Sequence, residues 1–190
     1  MRIGVISYCL AVVVLCSCNK QEKIDKTPDT SKGTYFSIRD FAFDQWKTYH
    51  GQPYGIEKVV YLNGRKDSML TNADKVDWAA VFRIFLESDI SDAKFLDKYT
   101  FSQFADETTM TENFYYEAND KSLFTQKLHI IADINSRKIS TIYIETAKNS
   151  KWGARTQRLF YEPVKSIIIQ EFESTATGDK KDVRIEYRFL

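Results

Sequence analysis

The chain has 190 residues with 27 Lys and Arg against 26 Asp and Glu, a near-neutral balance that argues against nucleic acid, whose phosphates need clustered cations. Its 13 Phe, 11 Tyr and 3 Trp, beside only 7 Gly and 3 Pro, exclude extended disorder and predict one aromatic-rich core. The three cysteines, Cys9, Cys16 and Cys18, all precede Asn19, so the rest of the chain offers no disulfide framework, thiol nucleophile or cysteine metal site.

Arg2 opens the chain, and an apolar run from Ile3 to Leu15 follows, broken only by Gly4, Ser7, Tyr8 and Cys9. A charged start before a core of about 13 residues is the pattern of a signal peptide, and it falls short of the roughly 20 residues that span a bilayer. Leu15-Cys16-Ser17-Cys18 ends the run. These four residues resemble the lipobox of bacterial lipoproteins, in which an apolar residue and two small ones precede the modified cysteine. The resemblance implies cleavage after residue 17, diacylglycerol on the Cys18 sulfur and a further acyl chain, such as palmitate, on the new amino terminus. A plain secretory signal, leaving Cys18 as a free thiol or disulfide partner, is the other reading of the stretch. Two or three acyl chains hold a protein on a membrane far more firmly than one. Removing 17 of the 190 residues leaves 173, takes away Arg2 and no acid, and brings the net charge to zero.

Residues 18–33 are polar and without apolar periodicity, which reads as the lipidated cysteine and a flexible tether. Similarity to Gram-negative lipoproteins implies that Asn19 directs the protein to the outer membrane. The single Glu22, between Lys20 and Lys23, forms no acidic export cluster, so the periplasmic and surface faces both stay open.

Residues 34–190 are expected to form a single α+β domain. Ser37 is placed to cap a helix, Phe36 and Phe41 to staple it, and Ile38, Phe41, Ala42, Trp46 and Tyr49 recur on one face before Gly51 and Pro53 stop it. Asn63-Gly64 between two extended stretches predicts a hairpin of 56–62 with 65–70. A second helix over 74–88 is apolar on nearly every side and should lie between the sheet and the first helix. Helical spacing at Ala93, Phe95, Leu96, Tyr99 and Phe101 predicts a short third helix and irregular chain up to residue 110.

Six strand candidates follow, near 113–118, 122–133, 138–147, 154–162, 164–174 and 182–190, with turn signals between them. The architecture expected is an antiparallel meander of about six to eight strands, curving toward a half-barrel, with two or three helices on its apolar face. Val183, Ile185, Tyr187 and Phe189 should face those helices while Arg184, Glu186 and Arg188 face water. Phe41, Trp46, Val81, Phe85, Leu128, Ile130, Ile142, Ile144, Ile168 and Ile185 are the expected core.

His50 and His129 have no partner at metal-ligand spacing, so no metal and no cofactor are expected. Glu87, Asp89 and Asp92 lack the glycine and closing glutamate of a calcium loop and read as a solvated helix end. No nucleophile elbow or phosphate-cradling glycine loop occurs, so a non-enzymatic role is expected. The most suggestive surface stretch is 148–155, where Trp152 stands beside Lys151 and Arg155, either free to take a partner or folded over the sheet edge.

Three functions compete. The leading expectation, for a domain that resembles small Gram-negative envelope lipoproteins, is a non-catalytic binding or assembly module on the outer membrane. Its partners would be the membrane, through Cys18, and a protein. The second is a carrier with a lipid ligand between helices and sheet, similar in outline to periplasmic lipoprotein carriers, and the third is an envelope hydrolase.

Overall fold

A computed structural model describes residues 35–190, so the expected signal peptide, the lipidation expected at Cys18 and the expected tether lie outside the described residues. Helix α1 (Ile38–Tyr49) comes first, then strands β1 (Gly55–Leu62) and β2 (Arg65–Asn72), helix α2 (Trp78–Glu87) and strand β3 (Tyr99–Asp106). Strands β4 (Thr111–Ala118), β5 (Thr125–Asp133), β6 (Ile139–Ser150), β7 (Gly153–Glu162), β8 (Ser166–Thr175) and β9 (Lys180–Phe189) complete the chain. All nine strands form one sheet in the order β2-β1-β9-β8-β7-β6-β5-β4-β3, antiparallel throughout.

The α+β class and the meander match the expectation, but the sheet is larger and open. Among the described residues it has nine strands rather than six to eight, two α-helices accompany it, and β2 and β3 remain as edges. The extra strand is β3, where helical spacing was deceptive. Only Ala93–Phe95 form a 3₁₀ turn, Asp97 takes a left-handed φ of 63°, and an extended strand begins at Tyr99. The Asn63-Gly64 hairpin forms as expected, with φ of 50° and 82° at its two central residues, as a type I′ turn demands.

This topology explains why α2 lies over the sheet. The chain leaves β2 at one edge and must re-enter as β3 at the other, roughly 38 Å away for nine strands spaced about 4.8 Å apart. Residues 73–98 make that crossing on the apolar side. Asp77 caps α2 by accepting from Ala80 N, and Trp78, Val81, Phe82 and Phe85 are buried while Ala79, Arg83 and Leu86 face outward. The helix therefore buries one face, not most of its surface. It is not sandwiched beneath α1, because both helices touch the sheet and each other: Phe41 meets Tyr161, Phe85 meets Tyr161, and Tyr49 packs on Trp78 and Phe82.

The core lies between these helices and the sheet. Leu128, Ile130, Ile142, Ile144, Leu159, Tyr161, Ile167 and Tyr187 are buried there, as are Val81 and Phe85, while Phe41, Trp46 and Ile185 pack at its margin. Ile168 is the exception among the expected core residues. In the run Ile167-Ile168-Ile169 the period of two sends only the outer pair to the helices, and Ile168 stands opposite Phe160 and Glu186 on the other face. At the heart of the core the Tyr49 and Tyr161 hydroxyls lie 2.6 Å apart, and Val164 N donates to the Tyr49 hydroxyl at 3.0 Å.

Burial has a consequence for alkaline stability. It pushes the phenols of Tyr99, Tyr116 and Tyr143 up to about 12 from the ordinary 10.0, helped at Tyr143 by the Glu145 carboxylate to which it donates. Between these values the unfolded chain releases protons that the folded one keeps. Stability should therefore be unaffected below pH 10 by these groups and fall progressively as pH rises toward about 12. Urea midpoints near pH 8 and near pH 11 check this, and equal midpoints would contradict it.

Candidate functional site

At one end of the sheet, opposite the Pro163 turn against which α1 ends, the hairpins β1–β2, β6–β7 and β8–β9 come together. The β6–β7 hairpin carries Lys151 and Trp152 at its tip, between the paired Ser150 and Gly153. Its backbone is firmly held. Ser150 Oγ accepts from Trp152 N and donates to Gly153 O, both at 3.2 Å, and Ala176 N of the neighbouring hairpin donates to Trp152 O at 2.8 Å. Gly153 is required: its φ is 153°, and a Cβ there would sit 2.1 Å from the carbonyl oxygen of Ser174.

On this rigid support the Trp152 side chain is free. It is 74% exposed, and the Lys151 ammonium lies 5.0 Å from the ring centroid. A cleft of about 240 Å³ opens beside it, with Lys148, Arg155, Glu173 and Ser174 on its walls. Of the three residues singled out in the sequence, the structure brings Trp152 and Lys151 together. Arg155 instead turns to the fold, with its Nε and Nη2 each 2.8 Å from Glu171 Oε2, an oxygen that also accepts from Gln157. A second concavity, about 330 Å³, lies at the same end between Asn63, Phe172, Lys180 and Asp182.

The helix-free face of the sheet holds the remaining polar candidates. His129 stacks on Tyr115 at 3.8 Å between centroids, Tyr115 stacks on Phe104 at 5.6 Å, and His129 Nε2 donates to Asn113 Oδ1 at 3.0 Å. Burial pushes the His129 imidazole below its usual 6.5, and its ring is taken up by the Tyr115 stack and the bond to Asn113. Across the rest of this face charges pair with one another. Glu145 meets Lys127 and Arg158, and the buried Glu186 lies between Arg184 and Arg188, the latter reaching on to Glu57. His50 stays exposed beside Trp46. Among the described residues no group of three or more His, Cys, Asp or Glu is placed to hold a metal ion.

The acidic trio is where the sequence reading needs correction. Asp89 is not solvated: its carboxylate accepts from Ile38 N at 2.8 Å and Arg39 N at 3.4 Å, and Ser91 Oγ donates to it at 2.8 Å. Ser37 Oγ accepts from Asp40 N, so the two side chains together cap the first turn of α1. Asp92 does remain at the surface, where it caps the 3₁₀ turn through Lys94 N. Nothing local in the sequence signals the Asp89 contact, since its partners lie about 50 positions away.

No protein-family model, no curated protein and no solved structure matches this chain.

Proposed function

We propose that the protein is an outer-membrane-anchored lipoprotein that acts as a non-catalytic binding or assembly module of the cell envelope, taking its protein partner on the Trp152 hairpin. The observation that carries the docking role is the exposure of Trp152 on a backbone fixed by hydrogen bonds to two hairpins. A large, amphipathic ring exposed on a fixed backbone is the side chain that most often anchors a protein interface, because burying it releases much apolar surface. Lys151 over the ring and the cleft beside it supply a polar rim. The anchor rests on the resemblance of Leu15-Cys16-Ser17-Cys18 to a lipobox.

The packing favours this module over a lipid carrier. The space a carrier would keep open is filled by Tyr49, Phe82, Phe85 and Tyr161, whose rings meet at centroid distances near 6 Å.

Trp152→Ala tests the docking role, because an exposed side chain can be removed at a cost of less than about 0.5 kcal/mol. Cross-linking in intact cells should yield a partner adduct with the native chain, diminished roughly tenfold or more in the variant at equal abundance. An adduct of equal yield would overturn the role of Trp152.

A further inference from the structure

Among the described residues the sheet has two open edges, and they are built differently. In β2, Arg65, Lys66 and Asp67 place charge along the edge, and Asp67 Oδ1 accepts from Ser68 N at 2.9 Å, which occupies a donor that would otherwise face outward. Such devices discourage another strand from adding. In β3 the stretch Thr100–Ala105 carries no charge and no proline, and its Phe101 and Phe104 are 37% and 50% exposed.

The ladder fixes which backbone groups of β3 are open. Lys98 O accepts from Asn119 N at 2.9 Å, so Lys98 and the residues two apart from it, Thr100, Ser102 and Phe104, bond inward to β4. Tyr99, Phe101, Gln103 and Ala105 therefore aim their N–H and C=O outward. The Tyr35 hydroxyl takes the Tyr99 carbonyl at 3.3 Å, which agrees with that assignment. Phe101, Gln103 and Ala105 are left as a template for one more antiparallel strand.

We propose that this strand is β3 of a second copy of the chain, paired about a two-fold axis at Ser102. An antiparallel pair through outward groups requires Phe101 to bond with Gln103 of the second copy, and Ser102 then faces its own equivalent across a non-hydrogen-bonded site. The ends decide the register. With Ser102 at the centre, Lys98 of each copy stands opposite Asp106 of the other, forming two ion pairs at the margins of an uncharged strand. The alternative centre, Gln103, would oppose Thr100 to Asp106 and leave Lys98 unpaired. A two-fold axis normal to the sheet keeps both pairs of helices on the same side, in a closed, isologous contact. Tyr35, the first described residue, packs on Tyr99 and Tyr116 on that helix side, so in the pair both copies of Tyr35 lie on one face. Two anchors in one membrane would suit this arrangement if the lipid-anchored reading holds, whereas the pairing itself stands on the edge alone.

The register makes the test specific. Non-hydrogen-bonded partners have Cα atoms about 4.5 Å apart, within disulfide reach, whereas Thr100 and its own equivalent would be separated by four residues along the strands. Ser102→Cys and Thr100→Cys are made singly in the full chain, oxidised mildly in the envelope and resolved on non-reducing gels. Ser102→Cys should give a reducible band at twice the monomer mass, and Thr100→Cys and the native chain should not. Adding Gln103→Pro removes an outward donor while sparing the bonds to β4, and should reduce the Ser102→Cys dimer roughly tenfold with circular dichroism unchanged. A Ser102→Cys protein that stays monomeric, forms equal dimer to Thr100→Cys or cross-links only to a protein of different mass would overturn the proposal.

Discussion

Replacing Phe85 with alanine should cost about 3–5 kcal/mol, a large part of the 5–15 kcal/mol that holds an ordinary domain together. Phe85 is 1% exposed, and its ring lies 6.0 Å from Phe82 and 6.2 Å edge-on to Tyr161, so it is gripped between the second helix and the middle of the sheet. These neighbours belong to regular elements that cannot collapse far into the gap, so the truncation carries the full cost of the lost contacts and the cavity. Urea unfolding measures it. A loss below about 1 kcal/mol would mean that the ring borders a void or a displaceable ligand, and the carrier function would then regain its footing.

The second large effect belongs to Asp89. Its carboxylate joins the chain just after α2 to the amino terminus of α1, taking the N–H of the fully buried Ile38 and the Ser91 hydroxyl and lying 3.8 Å from the Arg39 guanidinium. Bonds to a charged acceptor are worth about 1.5–3 kcal/mol each, and truncation also strands a buried donor and removes a negative charge from the positive end of a helix. Asp89→Ala should therefore cost about 2–4 kcal/mol, whereas Asp92→Ala, at the surface, should cost less than about 1. Equal effects in urea unfolding would show that the cap does not bind the two helices together.

Asp89 also shows where sequence reasoning stops. The cap from Ser37, the Phe36–Phe41 staple, the Asn63-Gly64 turn and the six strands from β4 to β9 were legible because each signal lies within a few residues of its effect. The Asp89 contact spans about 50 positions, and no periodicity reports it. β3 was hidden for another reason. Its Tyr99 follows Phe95 by four and Leu96 by three, a helical spacing, yet as an edge strand it has little buried alternation to show. The apparent all-round apolarity of α2 misled similarly. Ala79 and Leu86 are apolar by type but lie outside, while Trp78, Val81, Phe82 and Phe85 are buried and Ile84 packs at the core's margin.

At the candidate site the residues were readable and their roles were not. Trp152 and Lys151 stood out as a cation beside an aromatic ring, and they do meet. Arg155 looked equivalent in the sequence. Its capture by Glu171 depends on the β7–β8 register, in which Arg155 lies opposite Glu173 and Gln157 opposite Glu171, and register emerges only when the whole meander is assembled. The need for glycine at position 153 likewise comes from the approach of the Ser174 carbonyl, which a turn signal alone does not disclose.

The proposed function requires that Cys18 fasten this domain to a membrane, and incorporation of a labelled fatty acid in cells tests that requirement. The native chain should carry the label and appear in the membrane fraction at the size of the cleaved form. Cys18→Ser should carry none and accumulate as the longer precursor, because the acyl chains and the cut both depend on that sulfur. A native chain without label, or a Cys18→Ser variant labelled as strongly as the native protein, would contradict the account.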